Sequence, residues 1–121
     1  MVKKIILYSL CFTLFACPQK DDGIACTEEF VYGLSIAVYD NATAQPITQN
    51  ITVTAIDGAY SEELMRFPEG TNFVGAGERP GTYIIQISAE GYQEYTSEAI
   101  VVEANECHVI PEARNFEMYP L

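Results

Sequence analysis

From Val31 onward, apolar side chains recur at every second position in short runs, a pattern that leaves little room for anything but β-structure. Leu34, Ile36 and Val38 alternate with Ser35, Ala37 and Tyr39, and Tyr83, Ile85 and Ile87 alternate with Ile84, Gln86 and Ser88. Successive side chains of a strand point to opposite faces, so each run describes a strand with one face in a core. Ile51 to Ile56 is rich in β-branched residues, and Ala99 to Val102 and Val109 to Met118 extend the series. Turn chemistry separates these runs at Asp40-Asn41, Asp57-Gly58, Gly77 to Gly81 and Glu90-Gly91. No window carries a capped helical period. The expectation is an all-β fold, a seven-stranded antiparallel β-sandwich, with Ala55, Gly75 and Ala76 letting its sheets approach.

The first thirty residues obey different rules. Lys3 and Lys4 precede an uncharged apolar stretch from Ile5 to Ala16, the layout of a secretory signal. As a helix it would reach about 18 Å, against roughly 30 Å of bilayer hydrocarbon, too short for a permanent span. Leu14-Phe15-Ala16-Cys17 resembles the lipobox of bacterial lipoproteins. That resemblance implies cleavage before Cys17 and acylation of its thiol with palmitate-like chains, two or more of which hold a protein stably in a membrane. The following Lys20, Asp21 and Asp22 are similar to the export signal that carries some lipoproteins to the outer face of the outer membrane. The chain therefore divides into a signal peptide (1–16), a lipidated polar tether (17–26) and a β-sandwich domain (27–121). The expected location is the outer membrane, surface-exposed, with the periplasmic face as the alternative.

Processing changes the cysteine arithmetic. Of four cysteines, Cys11 leaves with the signal and Cys17 is taken by lipid, so Cys26 and Cys107 remain as the default disulfide of an oxidising compartment. His108 is the sole histidine, too few for a zinc site with the cysteines committed, and a solvent-facing or edge position is expected for it. Both signal lysines also go. Lys20, Arg66, Arg79 and Arg114 then face seventeen acidic residues, a net charge of −13 (4 − 17), which repels nucleic acid and anionic lipid. Two acidic groupings invite calcium, Glu103 with Asn105 and Glu106, and Asp57 with Glu62 and Glu63. Neither has EF-hand spacing, and no metal or cofactor is expected.

Five segments together resemble carboxypeptidase regulatory-like domains: Gly33 to Asp40, Thr43 to Ile47, Ile51 to Gly58, Pro80 to Ile87 and Glu90-Gly91-Tyr92. The resemblance spans about Phe30 to Met118 and implies the prealbumin (transthyretin-like) fold. In the last segment Gly91 supplies a positive φ before Tyr92. Ala44 departs from the pattern, standing where such domains usually have glycine. The resemblance implies no catalytic residues; these modules accompany peptidases, transporters and surface receptors. One enzyme precedent in the fold, the transthyretin-related hydroxyisourate hydrolase, uses His and Arg and ends Tyr-Arg-Gly-Ser, whereas here the last residues are Met118-Tyr119-Pro120-Leu121. The expectation is a lipid-anchored envelope protein presenting a sandwich to a protein or glycan partner, with a hydrolase as the alternative. Its contact surface would be an unpaired sheet edge or the Leu64 to Thr71 loop with Met65, Phe67 and Pro68. Tyr92 and Tyr95 are expected on opposite faces of a strand, Tyr92 in packing.

Overall fold

The computed structural model describes residues 25–121. Cys17, Lys20, Asp21 and Asp22, with residues 1–16 expected to form a signal peptide, lie outside the described residues. The described chain is all-β. Nine strands run in the order β1 (Tyr32–Asp40), β2 (Ile51–Asp57), β3 (Tyr60–Glu63), β4 (Met65–Arg66), β5 (Asn72–Gly77), β6 (Gly81–Ala89), β7 (Tyr95–Thr96), β8 (Ile100–Val102) and β9 (Glu112–Met118). They form a four-stranded sheet, β4-β5-β1-β9, and a five-stranded sheet, β3-β2-β6-β7 with β8 also on β6.

Two details correct the sequence expectation. Nine strands replace seven because two runs of chain are broken. Between β3 and β4 the single residue Leu64 passes from one sheet to the other, its side chain buried and its N–H donated to the Val53 carbonyl at 2.8 Å. Between β7 and β8, Ser97 interrupts the ladder and supplies its own hydroxyl: the Ile85 N–H donates to Ser97 Oγ at 2.9 Å while the Ser97 N–H donates to the Ile85 carbonyl at 2.8 Å. This accounts for a buried hydroxyl without a desolvation penalty. The second correction concerns direction. β1 pairs β5 antiparallel but β9 parallel, from Leu34 opposite Glu112 to Asp40 opposite Met118. The chain crosses from β8 in one sheet to β9 in the other through residues 103–111, and that crossover sets the parallel pairing.

Both sheets supply one core. Leu34, Ile36, Val38 and Phe73 from the first meet Val53, Ala55, Tyr83, Ile85, Ile87, Ile100 and Val102 from the second. β6 shows the period of two without exception, with Tyr83, Ile85, Ile87 and Ala89 buried and Thr82, Ile84, Gln86 and Ser88 exposed. Close approach is enforced at Gly75, where an added Cβ would overlap the Leu64 and Glu62 side chains. The two-residue hairpin between β2 and β3 needs a positive φ at its first position, which Gly58 adopts at 61°.

The strand ends define two poles. At the entry pole, where the chain joins the domain, Cys26 is disulfide-bonded to Cys107 across 81 residues, with Cα atoms 5.2 Å apart. Closing a loop of that length is worth up to about 4.5 kcal/mol on chain-entropy grounds. At the far pole lie the ends of β1, β6 and β9 and the segments around residues 41–50, 90–94 and 119–121.

Candidate functional site

The far pole is organised around Asp40. As the last residue of β1 its backbone closes a hairpin, donating to the Gln45 carbonyl at 2.8 Å and accepting from the Ala44 N–H at 2.8 Å. Its side chain does the rest: Oδ1 accepts the N–H groups of Ala42 (2.6 Å) and Thr43 (3.0 Å), and Oδ2 accepts the Tyr92 hydroxyl at 2.5 Å. The Tyr92 bond and then the two backbone bonds hold the Asp40 carboxyl below its ordinary range, outweighing the opposing effect of burial, and the same carboxylate pushes the Tyr92 phenol upward. Asp40 is thus a fixed carboxylate that ties two loops together.

Beside this pair lies an open groove of about 350 Å³, lined by Thr43, Gln45, Pro46, Thr48 and Gln49 with Asp40 and Tyr92. Its carboxylate is already committed, so the groups left to a ligand are carboxamides, hydroxyls, a proline face and the edge of a phenol. Such a surface suits a neutral, hydroxyl- or amide-bearing ligand. The C-terminal residues help hold its wall. Gln93 donates to the Tyr119 carbonyl at 2.9 Å and Leu121 to the Gly91 carbonyl at 3.0 Å. Gly91 has φ 87°, the positive value anticipated for it.

The entry pole holds a second constellation that the sequence did not disclose. His108 is partly buried, not solvent-facing: Thr27 Oγ1 lies 2.9 Å from its Nε2, and its Nδ1 lies 2.6 Å from Glu78 Oε2. Glu78 also accepts the Val31 N–H at 3.0 Å and the Val109 N–H at 3.2 Å. Burial would raise the Glu78 carboxyl, but His108 and the two backbone donors together bring it below its ordinary value. The hydroxyl, imidazole and carboxylate are joined in series by residues up to 81 positions apart, so no local spacing could have revealed them. With the adjacent disulfide they clamp the entering segment to the fold.

The remaining candidates have other tasks. Asp57 binds Arg79 at 3.1 Å, and the Arg79 guanidinium lies 3.7 Å over the Tyr60 ring and 2.9 Å from the Tyr83 hydroxyl, joining two turns. Glu62 accepts the Tyr60 hydroxyl at 2.8 Å and the Ala76 N–H at 3.0 Å. Asn105 Oδ1 accepts the N–H groups of Cys107 and His108 at 2.8 and 2.9 Å, closing a turn. Among the described residues, Glu63, Glu103 and Glu106 join no group of three or more potential metal ligands. Tyr92 and Tyr95 both pack against the core, correcting their placement on opposite faces: Tyr92 follows the Glu90-Gly91 turn and bridges to Pro120 before β7 begins, so strand alternation does not link them. No model of a known protein family matches the chain, and no curated protein matches it.

Proposed function

We propose that this protein is a lipid-anchored accessory of the bacterial envelope that binds a protein or glycan at its far pole and performs no catalysis. The observation that carries the reading is the placement of two features at opposite ends: the chain enters at Cys26, clamped by disulfide and hydrogen bonds, while the groove around Asp40 and Tyr92 opens at the other pole. A chain acylated at Cys17 would hold the entry pole toward the membrane and offer the groove away from it. The lipobox-like Leu14 to Cys17 and the Lys20, Asp21, Asp22 signal support the anchor and its surface exposure. The order of strands, with the Gly81 to Ile87 strand leading to Gly91-Tyr92, supports a prealbumin-like sandwich of the carboxypeptidase regulatory-like type.

Metabolic labelling with a fatty acid tests the anchor. Label is expected on the wild-type chain and lost in Cys17→Ser, which should leave the membrane fraction; unchanged labelling and fractionation would reject the reading. A hydrolase is the second reading, favoured by the serial contacts of Thr27, His108 and Glu78, which have the connectivity of a nucleophile relay. Labelling of Thr27 by an electrophilic phosphonate, abolished in His108→Ala, would support it. On the preferred reading the phosphonate leaves Thr27 unmodified.

A further inference from the structure

The outer face of the four-stranded sheet carries an apolar patch that begins at the entry pole. Val31 packs on the core and a Cβ on Gly33 would meet the buried Val102, so Tyr32 between them turns outward. On the neighbouring β5, Ala76 is fully buried with φ 53° directly after inward-facing Gly75, and this irregularity turns Gly77, the partner of Tyr32, outward too. Phe30 uses the space: its ring lies so close over Gly77 that a Cβ there would overlap it. Phe30 meets the Tyr32 ring edge-on at 5.2 Å between centroids, and Phe67 meets the other side of Tyr32 at 6.2 Å. Met65, opposite outward-facing Val74, extends the patch. Phe30 is 61 % exposed, Met65 51 % and Phe67 49 %, an unusual concentration for one face of so acidic a domain.

We propose that this patch rests on an electroneutral phospholipid surface, the one to which the chain is anchored; the inference builds on the lipid-anchor reading above. Cys26 lies nine positions beyond Cys17, and nine steps of no more than ~3.6 Å each span roughly 30 Å at full extension. Phe30 follows only four residues after Cys26. The disulfide and the Thr27, His108 and Glu78 bonds fix this segment to the fold, so the patch stays on a short leash from the lipid. Half-exposed aromatic rings and a thioether are the side chains that partition into the interfacial layer of a bilayer. Exposed Glu28 and Glu29 border Phe30, and with the overall negative charge they select against anionic headgroups. Contact here leaves the far-pole groove clear of the membrane.

The test uses full-length lipidated protein in phosphatidylcholine vesicles containing nitroxide-labelled lipid, with a fluorophore on Met65→Cys or, as the far-pole control, on Gln49→Cys. Quenching at position 65 is expected to exceed that at 49 by roughly threefold or more, as befits insertion at the interface. It should fall toward the control when Phe30→Ser and Phe67→Ser are added, and weaken when phosphatidylglycerol replaces phosphatidylcholine. Co-flotation with equal quenching at the two positions overturns the patch while leaving the anchor intact. A fluorophore at 65 spared by lipid nitroxide yet shielded from iodide assigns the patch to a second copy of the chain and overturns it equally. Protein that fails to float overturns the anchor, and this inference with it.

Discussion

Single residues at the far pole carry most of what is distinctive about this chain. Asp40 spends both carboxylate oxygens on its surroundings, and Glu78 does the same at the entry pole. Both carboxyls are depressed below ordinary values of 3.8 and 4.5. A group with a depressed folded pKa contributes stability that is complete above its unfolded pKa and lost as pH falls through the folded one. The melting temperature should therefore hold steady from neutral pH down to about 5 and drop below about 4. In Asp40→Asn the acid drop should be shallower, which thermal melts across pH would reveal. Ala44 is a different case. It sits at φ 64° at the end of the hairpin loop, a left-handed conformation that costs a residue with a Cβ about 1 kcal/mol or more. Ala44→Gly should raise stability by about 1 kcal/mol, less what glycine adds to unfolded-chain entropy, as read from urea titration. The alanine itself was visible in the sequence; its positive φ was not.

At the scale of elements, the strands that were legible are those whose burial is decided by alternation alone. β1 and β6 lie where the period of two put them and β2 where its β-branched residues did, and each sits inside its sheet with neighbours on both sides. The two breaks were not legible. Leu64 looks like any apolar residue in a polar run, yet it is the point where the chain leaves one sheet for the other, and only the juxtaposition of Val53, Glu62 and Gly75 around it makes that visible. Leu64→Ala should cost about 3 kcal/mol in denaturant unfolding, the range for a buried leucine in a site that cannot collapse. Ser97 hid for a similar reason, since a hydroxyl replacing a ladder acceptor leaves no periodic trace. The parallel β1 and β9 pairing follows from a crossover between sheets, and long-range connections are not written in local patterns.

At the scale of the whole molecule, the Cys26 and Cys107 pairing was readable by elimination, but the line from Thr27 through His108 to Glu78 was not, because it joins three segments far apart in the chain. The far-pole groove was likewise half visible: Asp40-Asn41 and Glu90-Gly91 were recognisable as turns, but their meeting depends on β1 and β6 ending at the same pole. Polarity between an anchored entry and an open groove is the core of the functional account. It is tested most directly by site-specific photo-crosslinking in intact cells, with a photoreactive side chain placed at Gln49 in the groove or at exposed Thr82, at the other end of β6. A discrete adduct is expected from position 49 that disappears in Cys17→Ser, and none from position 82. Adducts from position 82 alone, or an adduct from 49 that persists without the anchor, would contradict it.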